Sequence, residues 1–362
     1  MVRLHDRRGG RELRLGIVGL GWVARDYMLP AVAEHPRVRL GAVCSRGTRD
    51  FDGLDADVPR YRDLDAFLAR EADRLDAVYV ATPNHLHAAQ TRACLDAGLA
   101  VLCEKPLAAD LADARAMARA VRASGLPYAT AFDQRHHPAH LRIAELVARG
   151  TLGTLTLVRL DYACWLPADW SPTPGHEPPL RPDNWRIDRA RAGGGAVIDL
   201  APHGLDLVEV LTGTRVARLQ GLEQRVAQDY AVDDGGAFVG QLATGALLVH
   251  TVGYNRPESL PRRRLELIGT AGSLLAEDTM GQTPGGRVTY TTAATGVPVA
   301  VAFDEVTGPF LGQLDALVRQ VLDGAAPART IADDLRLATL LDAATQPWAS
   351  SAVATPAYAK TD

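Results

Sequence analysis

Three groups of residues have types and spacings that could do chemistry. Lys105 stands in Cys103-Glu104-Lys105-Pro106, at the end of a short apolar run. An ammonium there can polarise a carbonyl or hydroxyl and stabilise developing alkoxide charge. Of the 39 basic residues only Lys105 and Lys360 are lysines, which makes a plain surface role for Lys105 less natural. Asp199 and His203 follow the triple Gly193-Gly194-Gly195 at i, i+4 spacing. On a helix they share one face, with Asp206 one turn on. A carboxylate beside an imidazole can orient it and raise its pKa, which suits proton exchange near neutral pH. An ordinary helix-surface pair would look the same. The third group, Gly19-Leu20-Gly21-Trp22-Val23-Ala24, reads G-x-G-x-x-A. Gly19 allows a tight turn, Gly21 lets the backbone approach a diphosphate, and the small third position permits close helix–strand packing. Trp22 and Val23 then open a helix whose N-terminus faces the anion.

These groups need elements to hold them. The first 130 or so residues alternate apolar runs with helical patterns. Strands are expected at 13–18, 38–44, 77–81, 100–103 and 128–131. Helices are expected at 23–34, 64–70, 85–97 and 111–123. Fully apolar strands alternating with helices mean a doubly wound parallel sheet with helices on both faces. Lys105 then sits at the carboxyl end of the fourth strand, where ligands bind in such sheets.

After Phe132 the pattern changes to longer alternating segments at 155–163, 218–226, 237–242, 246–253, 265–268 and 287–291. They predict an open, mainly antiparallel sheet. One helix, 197–211, is inserted between its first two strands, and helices at 141–149, 310–322 and 331–344 flank it. The fold class is α/β in two domains, 14–132 and 133–345. A loose arm covers 1–13 and a tail 346–362. Pro167–Pro182 holds six prolines and reads as a long, ordered, functional loop.

The second strand ends Val43-Cys44-Ser45-Arg46, with Arg49 close behind. A site for NAD usually places Asp or Glu there for the ribose 2′-hydroxyl. A hydroxyl and guanidinium suit a 2′-phosphate instead, so NADP(H) is favoured, with NAD(H) possible.

Composition removes other classes. With 39 Lys+Arg against 43 Asp+Glu the net charge is −4, so no basic surplus points to nucleic acid or an anionic membrane. No apolar run reaches the length of a membrane span. The four cysteines are widely spaced without a CxxC pair, which argues against a disulfide or zinc framework and for the cytoplasm. Arg7-Arg8 is followed by too short an apolar stretch for a twin-arginine signal.

Together these pieces resemble the glucose–fructose oxidoreductase/inositol dehydrogenase (Gfo/Idh/MocA) family. The matching segments are 19–24, 81–87 (ATPNHLH), 104–106 (EKP), 184–186 (NWR), the triple glycine with Asp199 and His203, and 267–273 (LIGTAGS). They stand in family order over roughly residues 14–345. The resemblance implies a Rossmann domain, then an α/β domain that binds substrate and mediates a homodimer or homotetramer. It implies NAD(P)-linked hydride transfer at a secondary alcohol or ketone of a sugar, cyclitol or related small molecule. Lys105 would bind the reacting oxygen, Asp199 hold the substrate and His203 act as acid/base. Thr82, Pro83, Asn84 and His87 would line the ribose and diphosphate side. Glu104 and Lys105 would sit by the nicotinamide ribose, and Trp185 and Arg186 would reach the cofactor from the second domain. Asp133 stands at a cofactor-contact position where relatives often carry Asn. Ala201-Pro202 replaces a more usual Gly, and Pro202 is expected in a tolerant first helical turn.

His85-x-His87 and His136-His137-x-x-His140 have metal-ligand spacing, but no Cys or carboxylate cluster joins them, so no metal is expected. Tyr162 and Trp165 either face the substrate or anchor the Pro-rich loop. Arg262-Arg263-Arg264 is a solvated run, a subunit contact or a partner for an anionic substrate group. Two other readings use the same scaffold: transient oxidation in a glycosidase or epimerase, and a cofactor-sensing regulator. The first tends to favour NAD. The second can lose the lysine or histidine, and both are present.

Overall fold

The computed structural model describes residues 11–47, 51, 53–170 and 184–346. Expectations for Arg49, for 171–183 of the Pro-rich stretch, for most of the arm and for the tail from 347 lie outside the described residues.

Six strands form the first sheet: β1 (Leu13–Val18), β2 (Val38–Cys44), β3 (Arg60–Tyr61), β4 (Ala77–Val80), β5 (Ala100–Glu104) and β6 (Tyr128–Ala131). Every neighbouring pair is parallel, in the order β3-β2-β1-β4-β5-β6. β1 and β4 are buried along nearly their whole length. Helices α1 (Leu29–Glu34), α2 (Leu64–Glu71), α3 (His87–Asp96) and α4 (Leu111–Ser124) cover the two faces. That double burial is why these strands are unbroken apolar runs. The helix after the first turn begins at Trp22 and passes through a π-helical stretch, Ala24–Met28, before α1. Strand order reverses between β1 and β4, which opens a crevice at the carboxyl ends of the strands.

After α5 (Pro138–Ala148), eight strands form a second sheet: β7 (Leu155–Ala163), β8 (Val216–Gln224), β9 (Gly235–Leu242), β10 (Leu247–Gly253), β11 (Arg263–Gly269), β12 (Gly272–Glu277), β13 (Arg287–Thr292) and β14 (Pro298–Ala300). The order is β14-β13-β12-β11-β7-β10-β9-β8. Among the described residues of this sheet only β7 and β10 pair in parallel, because a long helical insertion separates β7 from β8. That insertion is α6 (Arg189–Ala192) and α7 (Ala196–Thr212). Val197, Leu200, Leu205 and Val208 of α7 pack on Val158, Leu160 and Leu248 of the sheet.

The start of α7 is fixed by Asp233. Its carboxylate accepts from Gly195 N and Val197 N, both at 2.7 Å. A Cβ on Gly195 would lie 1.8 Å from the Asp233 carbonyl oxygen, so only glycine allows this approach. Pro202 lies inside α7, in its second turn and not its first. It removes the backbone donor to Ile198, and the helix continues through it because the flanking residues are packed in the core.

The chain then returns to the first sheet. α8 (Pro309–Asp323) buries Phe310, Leu314, Leu317 and Val318 among Leu15, Ile17 and Met28. α9 (Ile331–Ala344) joins both layers, with Ile331 in one core and Leu337 and Leu341 in the other. A single cut at 132/133 therefore does not describe the packing: α8 comes late in sequence but belongs to the first layer.

Buried charge ties the layers together. Arg135, after β6, grips Asp206 of α7 through two bonds of 2.7 and 2.8 Å and Asp334 of α9 at 2.6 Å. Arg329 contacts Asp206 at 3.2 Å and Glu209 at 2.7 Å, and Arg336 also pairs with Glu209. Three guanidiniums thus balance three buried carboxylates.

Candidate active site

The crevice is a cavity of ≈ 670 Å³ between the strand ends and the second domain. Its floor is the Gly19–Val23 turn. Gly19 has φ +93, and a Cβ there would lie 2.5 Å from the Ala81 carbonyl oxygen. Leu20 N donates to Ser45 Oγ at 3.2 Å, so Ser45 is a buried brace of the turn. Arg46 is exposed at the same wall. Around Gly21 a Cβ would meet nothing within 4 Å. This open ground beside a helix N-terminus fits the diphosphate of a nicotinamide dinucleotide.

Lys105 projects from the end of β5 across the crevice to α7. Its Nζ donates to Asp199 Oδ1 at 2.6 Å and to the Asp199 carbonyl at 3.2 Å. Tyr254, just past β10, donates to Asp199 Oδ2 at 2.6 Å. Burial raises the Asp199 pKa, but the Lys105 charge, Arg186 and these two hydrogen bonds outweigh it, and the carboxyl lies well below its usual range. Glu104 accepts from Tyr79 Oη at 2.5 Å and from Lys105 N at 3.3 Å. Burial raises its pKa, against the pull of Lys105.

His203 does not pair with Asp199, although both are on α7. Its Nδ1 faces Asp133 Oδ1 at 3.6 Å, too long for a hydrogen bond. Its pKa is lowered, not raised as the spacing suggested: burial comes first, then the Lys105 charge. Burial and the nearby Glu104 push the Asp133 pKa up to about 7. The carboxyl of Asp133 therefore keeps its proton to higher pH than an ordinary carboxyl, and His203 keeps its neutral form to lower pH than an ordinary imidazole.

The other expected residues separate. Thr82, Pro83 and Asn84 line the crevice, and Asn84 also donates to the Ala192 carbonyl at 2.9 Å. His87 does not line it. It is wholly buried, with its ring nitrogens 2.8 Å from the carbonyls of Pro106 and Thr82, and it braces the Lys105 loop. Trp185 and Arg186 reach the crevice, with the guanidinium 4.6 Å from the Trp185 ring centre. Tyr162 is buried, its ring centre 5.7 Å from that of His203. Trp165 is half-exposed, bridges to Asn255 and lies off the crevice wall. His140 is held by the Gln134 carbonyl and Thr279, so its ring is engaged in packing.

Three wall or contact residues had no clear sequence signal. Tyr254 sits in no motif. Trp170 meets Trp22 edge-on at 5.8 Å and is covered by Arg186 at 5.3 Å. Arg62 follows β3 and donates to the carbonyls of Arg46 and Gly47. A basic residue one strand beyond the Ser45-Arg46 loop was the only available hint.

A parallel nucleotide-type sheet, a Gly-rich turn and a lysine–carboxylate pair facing it from a second domain define an NAD(P)-binding oxidoreductase of two domains. The chain belongs to the Gfo/Idh/MocA family. Residues 13–132 match "Oxidoreductase family, NAD-binding Rossmann fold" and 140–275 match "GFO/IDH/MocA C-terminal domain". The chain is 29% identical to 1,5-anhydro-D-fructose reductase of Ensifer adhaerens, over 77% of this chain and 80% of that protein. It is 30% identical to D-xylose 1-dehydrogenase (NADP(+)) 2 of Haloferax volcanii, over 87% and 91% respectively. The solved aldose-aldose oxidoreductase of Caulobacter crescentus, complexed with glycerol, superposes with a TM-score of 0.79 at 26% identity, covering 92% of this chain and 97% of that one.

Proposed function

We propose that the protein is an NADP-dependent oxidoreductase acting on a secondary alcohol or ketone of a sugar-like small molecule. The observation that carries this reading is the Lys105 ammonium held at 2.6 Å by Asp199 across the crevice, with His203 on the same helix. A bound nicotinamide supplies the hydride chemistry. Gly19, Gly21, Trp22 and Val23 would hold its diphosphate, and Thr82, Pro83, Asn84, Glu104, Trp185 and Arg186 the rest. Lys105 has one N–H beyond the two given to Asp199, and donates it to the reacting oxygen as charge develops there. Tyr254 and Asp199 keep the ammonium aimed. His203 is a neutral imidazole and accepts the alcohol proton in the oxidation direction, or returns it in reduction. Arg46, with Arg62 bracing its loop, favours a 2′-phosphate; Asp63 on the same wall accepts from Ala66 N as the cap of α2. The sugar-like substrate follows from the reductase and dehydrogenase relatives. Leu222, Val239, Leu247 and Val249 are exposed on the outer face of the second sheet, and a second copy of the chain would cover them.

Purified protein mixed with NADPH or NADH and a set of sugars, cyclitols and ketosugars tests the reading through nicotinamide absorbance. NADPH is expected to bind more tightly, and Arg46→Ala to remove that preference. Lys105→Met is expected to lower kcat by about 100-fold or more. NADPH affinity should stay within a few-fold. Turnover unchanged in Lys105→Met would overturn the mechanism.

A further inference from the structure

We propose that Arg263 forms an anion subsite beside the reacting centre, so that the substrate carries a carboxylate or phosphate on its sugar-like frame. The proposal deepens the oxidoreductase reading above and rests on it for the position of the reacting carbon.

Arg263 is the first residue of β11 and is paired across the ladder with Tyr162 of β7. Its guanidinium lies 5.7 Å from the centre of the Tyr162 ring. His203 also lies against that ring, 5.7 Å from Tyr162 centre to centre. The charge of Arg263 acts on Tyr27 of the first domain and on Tyr162, Cys164 and His203 of the second. The guanidinium therefore lies beside the Tyr162 ring, which His203 also contacts. A Cβ on Gly281 would stand 2.4 Å from Arg263 Nη1, so the backbone at Gly281 leaves room for the guanidinium.

The neighbours behave differently. Arg262 pairs with Glu258 at 3.3 Å, and Arg264 with Glu277 at 3.7 Å and Glu266 at 3.9 Å. Among the described residues Arg263 has no ion pair, and its buried Nε has no hydrogen-bond acceptor. Lys105 is already balanced by Asp199, and Arg186 lies over the Trp170 and Trp185 rings. Arg263 is partly exposed, but leaving its buried Nε without an acceptor is unfavourable. Its planar fork matches a carboxylate or phosphate oxygen pair. A ligand that brings its own anion resolves both points, and a neutral sugar does not.

The test uses the full chain loaded with NADPH. Calorimetry compares glucose, galactose and mannose with their hexuronates and their 6-phosphates. At least one anion is expected to bind about tenfold or more tightly than its parent sugar. Whether uronate or phosphate ester wins identifies the anion. Arg263→Gln should abolish the difference while leaving parent-sugar binding within a few-fold, and Arg263→Lys should keep part of it. If no anion outbinds its parent sugar, or if the preference survives Arg263→Gln, the proposal is overturned. Hydride transfer is followed in the same samples. Arg263-dependent anion binding without transfer under any condition would sink the oxidoreductase reading and keep the subsite. Transfer to neutral sugars with no anion preferred by the wild type, or with an anion preference that survives Arg263→Gln, would do the reverse.

Discussion

His203 and Asp133 illustrate how one residue's surroundings reverse its expected behaviour. Spacing on a helix suggested an imidazole charged by Asp199. In the fold Asp199 is taken by Lys105 and Tyr254, and His203 is left in a buried place beside an acid that is itself hard to ionise. The two groups affect stability in opposite senses. Asp133 titrates at about 7 when folded, against an ordinary carboxyl near 4 when unfolded. Its contribution is fully present below the unfolded value and is lost as pH rises through about 7. His203, with a lowered folded pKa, contributes above the unfolded value, and that contribution is lost as pH falls. Asp133→Asn removes only the first effect. Relative to wild type, the variant's melting temperature should therefore rise as pH is taken from 5 to 8. A constant difference across that range would mean that Asp133 does not hold a proton in the native state.

Among the elements, the ion cluster of Arg135, Asp206, Glu209, Asp334, Arg329 and Arg336 joins the loop after β6 to α7 and α9. Asp206→Ala would leave three buried guanidiniums to two carboxylates, with Arg135 keeping only Asp334 and Arg329 only Glu209. The expected loss is about 3–5 kcal/mol of unfolding free energy. Denaturant titration of the variant measures it, and a loss under 1 kcal/mol would assign the cluster no role in holding the layers. How far the elements were readable follows from their burial. β1, β2 and β4–β6 are buried runs, and the Gly19 turn and the Gly193–Gly195 step carry glycines that the backbone demands. All were legible. β3 is two residues long, and β14 is three exposed ones, so neither has a period to detect. β12 begins at Gly272 and was hidden in what looked like a turn. Lys105, Asp199 and His203 were legible as candidates because each sits in a motif; the fold brings Lys105 to Asp199 and turns His203 to Asp133 instead. Tyr254, Asp233 and the partner of His203 come from chain segments that meet only in the tertiary structure, and no local spacing announces them.

At the scale of the whole molecule, the outer face of the second sheet carries exposed apolar side chains. Leu222 and Val239 are each more than 60% exposed, and Leu247 52%. Such residues clustered on one sheet face favour a subunit contact over solvent. Sedimentation at micromolar concentration should give a dimer or tetramer mass, and Val239→Glu with Val249→Glu should shift it toward the monomer. A wild-type monomer under those conditions would leave the face to another explanation. No helix among the described residues is long and apolar enough to cross a membrane.

The return of α8 to the first sheet has a consequence for how the protein is made. During synthesis the Rossmann strands leave the ribosome first, but the helix that covers Leu15, Ile17 and Met28 ends at Asp323. Until that point has been translated, one face of the sheet has a bare apolar strip. The first domain cannot complete itself co-translationally in the usual order, N-terminal unit first. It must wait, partly assembled, for almost the whole of the second domain to emerge, so the nascent chain needs shelter for longest where its sequence looks most self-sufficient.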